Sequence, residues 1–303
     1  MSDPARDPRM IGAEAGKRLD AVVAAACPWL SRRVVHRLIQ HGAVLVNGRP
    51  ASKGTRLAVG DRVSGLDVPS LAPEPDLPVR VVHESEDVVV LDKPGGMPSH
   101  ALDPRQRGTL AAFVLARWPE TARVGEPLEA GLVHRLDTGT SGLVVAARSP
   151  GVHAALRDAF RTRAIAKRYL AIVDGTPPTR LTVRTPLAHD PRDRRRMMAA
   201  DGRQRSWPAE TEIEALAPAV RGTLVALTMR TGVTHQLRVH CALAGHPVLG
   251  DRLYGERQRG LAPGRHALHA AALSLPALGA HPTWTALAPL PAELCALLGS
   301  GAA

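Results

Sequence analysis

The chain has 303 residues, of which 39 are lysine or arginine and 28 are aspartate or glutamate, so its formal net charge is +11. The length suits one large and one small domain. The charge favours a polyanionic partner, with nucleic acid as the leading candidate. Three distant cysteines, Cys27, Cys241 and Cys295, indicate neither a disulfide framework nor a zinc site. No early segment reads as a membrane span or a signal peptide, so we expect a cytoplasmic protein that contacts no membrane.

Residues 16–63 predict a small α/β domain, preceded by a disordered terminus over residues 1–15. Ser31 is a candidate cap for a helix that Gly42 ends. The apolar residues of this helix fall on one face. Its opposite face carries Arg32, Arg33, His36 and Arg37.

A hairpin signal follows this helix. Asn47-Gly48 lies between short apolar runs, and both residues tolerate the positive φ that a tight hairpin needs. Basic residues, Lys53 among them, come next. A charge run of this kind also fits a solvated face without a binding role.

The order of these elements resembles the RNA-binding domain named after the small-subunit ribosomal protein S-four. The resemblance rests on Arg18-Leu19-Asp20, Ser31-Arg32-Arg33, Gly42-x-Val44-x-Val46-Asn47-Gly48, Lys53 and Gly60-Asp61. It implies that the basic helix meets RNA phosphates, which position a protein without reading sequence. The candidate RNA-binding residues in this domain are Arg32, Arg33, Arg37 and Lys53.

A proline-rich stretch over residues 64–78 predicts an extended linker. Beyond it, residues 79–297 alternate β-branched runs with helical patterns, which predicts a mixed α+β domain. Ser149-Pro150 is a cap and first-turn pair for a helix with Val152, Ala155, Leu156 and Phe160 on one side. Predicted strands cover residues 79–82, 88–91, 143–147, 169–173 and 224–227.

The run His134-Arg135-Leu136-Asp137-Thr138-Gly139-Thr140-Ser141-Gly142 places an acid between apolar segments. An acid in such a place must be paired or used chemically. Asp137 can act as a nucleophile or a base, although an aspartate before Thr and Gly is also a common turn residue. The hydroxyls of Thr140 and Ser141 can hold the loop, and Gly142 permits close backbone approach. We interpret His134 as structural.

Two further segments carry candidates for chemistry. Tyr169 lies in Lys167-Arg168-Tyr169-Leu170-Ala171-Ile172-Val173-Asp174-Gly175, where the alternation predicts a strand. Arg238 lies in Thr231-Gly232-Val233-Thr234-His235-Gln236-Leu237-Arg238-Val239-His240, a helix that Thr234 can cap. Without further context, Tyr169 also fits a core residue with its hydroxyl at the edge, and Arg238 a structural ion pair.

Together these motifs resemble the RluA-type pseudouridine synthases. The resemblance implies a mixed, mainly antiparallel sheet and an isomerase that detaches, rotates and rejoins uracil through carbon five, with no cofactor and no metal. It implies that Asp137 is the catalytic aspartate, that Arg238 pairs with it and that Arg135 helps to displace the target base. Tyr169 then stacks on the uracil and is a candidate for proton removal from carbon five.

The chain departs from the family pattern at two places. Val233 stands where an arginine is usual, and Thr138-Gly139 stands where Lys-Asp is frequent. Other matches are Lys93-Pro94, interpreted as a wall of the active site, and Tyr254, interpreted as a buttress. A cluster between residues 192 and 205 fits a solvated flexible insertion or an RNA clamp equally: Arg192, Arg194, Arg195, Arg196, Arg203 and Arg205.

The sequence therefore predicts a monomeric RNA pseudouridine synthase, with large-subunit ribosomal RNA as the leading substrate and transfer RNA as an alternative. A noncatalytic RNA-binding or ribosome-assembly protein has no need for Asp137, Tyr169 and Arg238 together. A glycoside hydrolase needs a second carboxylate about 5 to 10 Å from the first. None of the motifs supplies an obvious partner of that kind.

Overall fold

The computed structural model describes residues 11–12, 16–27, 32–40, 42–65, 71–101, 106–126, 128–255, 261–262, 264–277 and 282–299, with the backbone alone at Ile11, Gly12, Arg33 and Arg37. The chain divides into two compact units. The first comprises Met1–Ala72, Leu102–Arg105 and Glu126–Leu128. The second comprises Pro73–Ala101, Gln106–Gly125 and Glu129–Ala303.

The first unit contains two helices and a small sheet. Its elements are β1 (Ile11–Gly12), α1 (Leu19–Ala26), α2 (Arg32–Gln40), β2 (Leu45–Val46), β3 (Arg49–Pro50) and β4 (Arg62–Ser64). The sheet order is β1-β4-β2-β3. Ile11 and Gly12, which lie in the segment predicted to be disordered, pair with β4. The rest of residues 1–15 lies outside the described residues.

Local sequence explains this unit. Asn47 and Gly48 have φ of 50° and 78°, so the predicted hairpin is confirmed. Gly42 has φ +68° and follows α2, as expected of a helix stop. The predicted cap, Ser31, lies outside the described residues. Both helices pack apolar side chains into one core that includes Leu19, Val23, Val35, Ile39, Val44 and Val63.

The second unit is built on a large sheet, with a small sheet beside it. Its strands are β5 (Arg80–Glu84), β6 (Val88–Lys93), β7 (Ser141–Ala147), β8 (Ala166–Val173), β9 (Arg180–Val183), β10 (Leu187–His189), β11 (Met197–Ala199), β12 (Ser206–Trp207), β13 (Thr211–Ala219), β14 (Gly222–Met229), β15 (Leu268–Leu275) and β16 (Trp284–Leu287). Its helices are α3 (Leu110–Arg117), α4 (Pro150–Arg161), α5 (Gln236–Leu243) and α6 (Ala292–Cys295).

The large sheet has the order β5-β6-β7-β15-β8-β14-β13-β9, and β16 pairs with β15. Among the described strands, β15 and β7 form its one parallel pair. The predicted fold class, a mixed and mainly antiparallel α+β domain, is confirmed. All five predicted strands exist, with ends shifted by a few residues.

The core of this unit forms around β7, whose residues are all buried. Ser149 caps α4 by accepting a hydrogen bond from the Val152 amide, and Pro150 occupies the first turn, which confirms the predicted helix start. Leu156 and Ala159 pack into the core. Ala155 is exposed, so its predicted place on the apolar face is wrong. Helix α4 thereby covers the strand that follows the candidate catalytic loop.

Two segments differ from simple loops. Residues 73–78 follow the unit boundary, and the Glu74 carboxylate accepts a hydrogen bond from the Gly108 amide at 2.7 Å. The arginines of the cluster lie in the two connections that join the antiparallel strands β10, β11 and β12, so a small sheet anchors both ends of each basic loop. Among the described residues, no helix is long and apolar enough to cross a membrane.

Candidate active site

A cleft of about 680 Å³ lies in the second unit and brings the sequence-predicted residues together. Its lining includes Arg135, Asp137, Tyr169, His235 and Arg238. These residues come from the loop before β7, from β8 and from the start of α5. Because β15 lies between β7 and β8 in the sheet, the loop and Tyr169 face the cleft from neighbouring positions.

Asp137 is held by a buried arginine. The Arg238 Nη1 atom donates to Asp137 Oδ2 at 2.8 Å, and the arginine side chain is 7 % exposed. Burial raises the pKa of Asp137, but the charge that His235 carries when it is protonated at acidic pH, together with the charge and hydrogen bond of Arg238, outweighs this effect and brings the pKa below its usual range. The carboxylate is therefore ionised at neutral pH and can act as a nucleophile or a base.

Arg238 is oriented by a second carboxylate, which sequence reasoning missed. Its Nε and Nη2 atoms donate to Asp251 at 2.6 and 2.8 Å. The Asp251 Oδ1 atom also accepts from the amides of Leu253 and Tyr254. Bidentate pairing of this kind fixes the guanidinium plane. Asp251 has no exposed side-chain surface. In the sequence it follows the apolar run Val248-Leu249-Gly250, which could have indicated an acid that is buried and therefore paired.

The loop that carries Asp137 is hydrogen-bonded on both sides of this residue. Ser99 Oγ binds both the amide and the carbonyl of Leu136. The Thr138 carbonyl accepts from the Gly96 amide at 2.7 Å. The Thr140 hydroxyl contacts His266 Nε2 at 2.8 Å. Hydrogen bonds of this kind, made by the residues around a reactive group, hold that group in place before substrate binds.

Two buried cations complete this support. The fully buried Lys93 ammonium donates to the carbonyls of Met97 at 2.7 Å and Thr138 at 3.4 Å, and burial lowers its pKa to about 7. Arg265 donates to the Gly139 carbonyl at 2.7 Å and to Ser141 Oγ at 2.8 Å. Lys93 lies beneath the loop with no exposed surface and is not among the residues that line the cleft, so it supports the loop from below rather than forming a wall of the cleft.

Glycines allow the close packing of this loop. A Cβ atom added to Gly142, which has φ +112°, would clash with the Ala270 carbonyl oxygen. A Cβ atom on Gly139 lies 2.5 Å from the Gly264 oxygen and 2.6 Å from His266 Nδ1. Contacts this short require a shift of the backbone or of the histidine. The loop therefore approaches β15 and residues 264–266 more closely than a side chain permits.

Tyr169 forms the floor of the cleft on β8, paired with Leu227 of β14 and Ala270 of β15. It is 6 % exposed. Burial and the nearby charge of Asp137 raise the pKa of its hydroxyl. The hydroxyl is therefore protonated in the resting protein, and the ring offers a flat apolar surface beside Asp137.

The mouth of the cleft is basic. Arg135 is exposed there. Arg157, Arg161 and Lys167 line the adjoining wall, where Arg161 pairs with Asp158. Burial, followed by the charge of Arg163, lowers the pKa of Lys167. This distribution of charge suits a phosphate-bearing ligand.

His134 and Tyr254 each accept a hydrogen bond from a backbone amide, which is consistent with the supporting roles predicted for them. The His134 Nε2 atom accepts from the Val145 amide at 3.1 Å, its ring lies against Phe160, and burial lowers its pKa to about 3. The Tyr254 hydroxyl accepts from the Met197 amide at 2.8 Å. The guanidinium groups of Arg196 and Arg238 lie over the Tyr254 ring, 5.4 and 5.2 Å from its centroid.

The start of α5 differs from the prediction. The N-cap is His235, in the left-handed region with φ 55°, and its side chain makes no capping bond. The prediction that Thr234 caps this helix is therefore wrong. The Gln236 side chain instead accepts from the Val233 amide at 3.1 Å. The Val233 side chain packs against the apolar cluster of Leu187, Met197, Ala209 and Val239.

The RNA-binding candidates of the first unit occupy separate elements. Arg32 is exposed at the start of α2, and Lys53 is exposed after the hairpin. The side chains of Arg33 and Arg37 lie outside the described residues. Nearby, the Asn47 side chain donates to Asp61 at 2.8 Å and accepts from the Arg62 amide at 2.9 Å, which fixes the hairpin to β4.

This mainly antiparallel sheet, with an ionised aspartate ahead of a central strand and a buried arginine bound to it, defines an RNA pseudouridine synthase. The sequence pattern of the RNA pseudouridylate synthase family matches residues 87–243, and that of the S4 domain matches residues 17–63. The chain belongs to the RNA pseudouridylate synthase family, in its RluA-type branch. It is an isomerase that acts on RNA.

Curated relatives and solved structures agree with this family. An uncharacterized RNA pseudouridine synthase of Chloroflexus aurantiacus is 41% identical over 93% of this chain and 89% of its own length. Ribosomal large subunit pseudouridine synthase D of Neisseria meningitidis is 32% identical over 94% of this chain and 78% of its own length. The structure of human RNA pseudouridylate synthase domain containing 1 covers 72% of this chain and 86% of its own, with a TM-score of 0.59 and 27% identity.

Proposed function

We propose that this enzyme converts a specific uridine of large-subunit ribosomal RNA into pseudouridine. The observation that carries the proposal is the cleft itself, where Arg238 holds Asp137 ionised beside the ring of Tyr169 and beneath a basic mouth. The choice of RNA is supported by relatives of Neisseria meningitidis and Xylella fastidiosa whose names refer to the large ribosomal subunit.

Asp137 is the proposed catalytic residue. Its carboxylate either adds to the sugar or removes a proton during the separation of uracil from the ribose. Both routes need the ionised form, which Arg238 stabilises. The glycoside hydrolase alternative needs a second acid at the reacting bond. Asp251 does not suit that role, because it has no exposed side-chain surface and its two oxygens bind Arg238.

Tyr169 is proposed to stack on the detached uracil. Aromatic stacking contributes roughly 1 to 3 kcal/mol per base and tolerates rotation of the ring. Proton removal from carbon five by Tyr169 also needs an outlet for the proton that its hydroxyl already carries. The charge of Asp137 acts on the Tyr169 hydroxyl, so we propose that the Asp137 carboxylate accepts this proton.

Arg135 is proposed to stabilise the RNA from which the target base is lifted. Extrusion of a base costs a few kcal/mol, and the planar guanidinium can stack in the gap or bind a phosphate. Its exposure at the mouth of the cleft supports this role. No metal or cofactor is proposed for the reaction.

Residues 16–63 are proposed as the RNA-binding domain and residues 79–297 as the catalytic domain, joined by residues 64–78. Arg32, Arg33, Arg37 and Lys53 are the proposed phosphate contacts of the first domain. We place the reaction in the cytoplasm, where the free thiols of Cys27, Cys241 and Cys295 suit a reducing compartment. A monomeric state stays a prediction.

The activity is tested with RNA tritiated at carbon five of uridine. The wild type is expected to release tritium, because the hydrogen at that carbon is replaced by the new bond to the ribose. Asp137→Asn is expected to abolish release while it retains RNA binding. Full activity of Asp137→Asn would contradict the assigned role. Parallel reactions on 23S-type ribosomal RNA and on transfer RNA decide between the two substrate classes.

The RNA-binding role of the first domain has its own test. Simultaneous replacement of Arg32, Arg33 and Lys53 by glutamine is expected to weaken RNA binding and to flatten its dependence on salt, because fewer counterions are released. The thermal stability of the second unit serves as the control. An unchanged salt slope would show that the RNA surface lies elsewhere.

A further inference from the structure

His235 presents a side chain to the catalytic cleft that the mechanism above leaves unused. Its Nε2 atom lies 3.7 Å from Asp137 Oδ1, the oxygen that Arg238 does not bind. The side chain is 15% exposed and lines the cleft. A non-glycine residue with φ 55° is uncommon, and here it directs the imidazole beside the reactive carboxylate.

Tyr254 determines which imidazole nitrogen carries the proton. The Tyr254 hydroxyl accepts the Met197 amide proton at 2.8 Å, and His235 Nδ1 lies 2.8 Å from the same oxygen. Donation by the tyrosine to Nδ1 leaves the proton of the ring on Nε2, facing Asp137. The opposite tautomer turns a lone pair of Nε2 toward the carboxylate and leaves the tyrosine proton without an acceptor among the described residues.

The imidazole is neutral at neutral pH. Burial lowers the pKa of His235 below its usual value, and the charges of Arg238 and Arg135 act in the same direction. The carboxylates of Asp137 and Asp251 oppose this effect without reversing it. His235 therefore offers one N–H group that can donate a hydrogen bond to a weakly basic oxygen without giving up its proton.

In the part of the chain that the structure describes, this N–H group has no hydrogen-bond acceptor in the cleft. The 3.7 Å separation from Asp137 Oδ1 exceeds the length of a hydrogen bond, so the N–H group can bind an oxygen of the substrate placed next to the carboxylate. When the bond between C1′ and N1 breaks, its electron pair stays on the uracil and spreads onto the two carbonyl oxygens. The O2 atom is the carbonyl oxygen nearest to the breaking bond.

We propose that His235 is a catalytic residue whose neutral Nε2–H group donates a hydrogen bond to O2 of the target uracil as the base separates from the ribose. Such a donor strengthens as negative charge develops on the oxygen, so it stabilises the transition state more than the bound substrate. No proton is transferred, and the detached uracil stays a nucleophile that can rejoin through carbon five. The inference rests on the isomerase activity and holds for either action of Asp137.

Tyr254 is the positioning residue in this arrangement. Its hydroxyl holds the His235 tautomer through Nδ1, and its ring lies 5.2 Å from the Arg238 guanidinium. Tyr254→Phe keeps the ring and removes the hydroxyl alone. We expect it to slow catalysis less than loss of the imidazole does, because the neutral ring can still adopt the Nε2–H form part of the time.

The test compares His235→Asn and His235→Gln under single-turnover conditions. Asparagine tolerates the left-handed backbone but is too short to replace Nε2. Glutamine can place an amide N–H near the position of Nε2. We expect His235→Asn to lower the rate roughly 10²- to 10³-fold, as for loss of one oxyanion donor. His235→Gln should recover at least about tenfold of that loss, with RNA affinity unchanged in both variants.

Substrates with sulfur in place of O2 or O4 of the target uridine separate this role from a structural one. Sulfur is the poorer acceptor, so the wild type should convert the 2-thio RNA more slowly relative to normal RNA than His235→Asn does. The 4-thio RNA is the matched control and should slow both enzymes equally. If His235→Asn fails to fold, the same comparison is made with His235→Gly, which also removes the donor and tolerates the positive φ of this position. An equal 2-thio penalty in variant and wild type, or an unchanged rate, would overturn the proposal.

Discussion

Replacement of Asp251 by asparagine tests how the buried ion-pair network positions Arg238. Of the three hydrogen bonds that Arg238 makes to carboxylates, two go to Asp251 and one to Asp137. The asparagine amide turns a donor toward the guanidinium, which has no acceptor sites. Loss of one partner of a buried ion pair costs about 3 to 5 kcal/mol. We therefore expect Asp251→Asn to be less stable by this amount.

Thermal unfolding and single-turnover kinetics measure the two consequences. The stability loss corresponds to a fall in the unfolding temperature of roughly 6 to 20 °C. The rate should fall roughly 10²-fold, because displacement of a positioning group by about 1 Å has that effect. The matched control is Glu212→Gln, which removes a carboxylate from the exposed pair with Arg230 and should change stability by less than about 1 kcal/mol.

Two results would refute this reasoning. If Asp251→Asn unfolds at the same temperature as Glu212→Gln, then Asp251 does not stabilise the buried guanidinium. If Asp251→Asn is destabilised but reacts at the wild-type rate, then Asp137 alone is sufficient to orient Arg238. Asp137→Asn gives the complementary measurement. It should be less destabilising than Asp251→Asn, because Arg238 then keeps two of its three bonds.

Three further outcomes follow from the same structure. Gly142→Ala should destabilise the protein through its contact with the Ala270 backbone, whereas Gly151→Ala, which meets open space in α4, should raise stability by about 0.5 to 1 kcal/mol in thermal unfolding. The pKa of Lys93 is about 7 in the folded chain, so above pH 7 the unfolded chain binds more protons at this residue than the folded chain does. The stability of the wild type relative to Lys93→Met should therefore rise above pH 7, by up to about 1.4 kcal/mol per pH unit. A stability difference that stays constant with pH in denaturant titrations would contradict the buried charge. Tyr169→Phe should keep RNA affinity in filter binding but lose roughly 10²-fold or more in rate if its hydroxyl moves a proton.

Much of the fold was readable from local sequence. Asn47-Gly48 specifies its hairpin through positive φ, and Ser149-Pro150 specifies a helix start, because in both cases adjacent residues supply the interaction. The strand around residues 143–147 was predicted from its apolar run, and every residue of β7 is buried. Local signals failed where a distant partner decides. The Gln236 side chain accepts from the Val233 amide, and the helix starts after His235, so Thr234 does not occupy the N-cap position that was predicted for it.

The site was predictable only in part. The Asp137–Arg238 contact was implied by resemblance and is present at 2.8 Å, whereas composition and spacing alone gave no distance between residues 101 positions apart. Asp251 and His235 were missed. Asp251 can be recognised only when its turn is known to lie against α5. His235 depends on a left-handed backbone conformation that is uncommon for histidine and could not be predicted from its sequence. Their roles come from three-dimensional pairing.

The close packing of Gly139 has a consequence for the divergence of the family. The family pattern that this sequence resembles frequently has an aspartate at this position, where this chain leaves no room for a Cβ atom between the loop, Gly264 and His266. A side chain can enter this position only if residues 264–266 also change. The two segments should therefore diverge together, and a chimera that receives a relative's catalytic loop needs the facing segment from the same donor. Exchange of both segments restores a matched surface, whereas exchange of the loop alone introduces a steric clash.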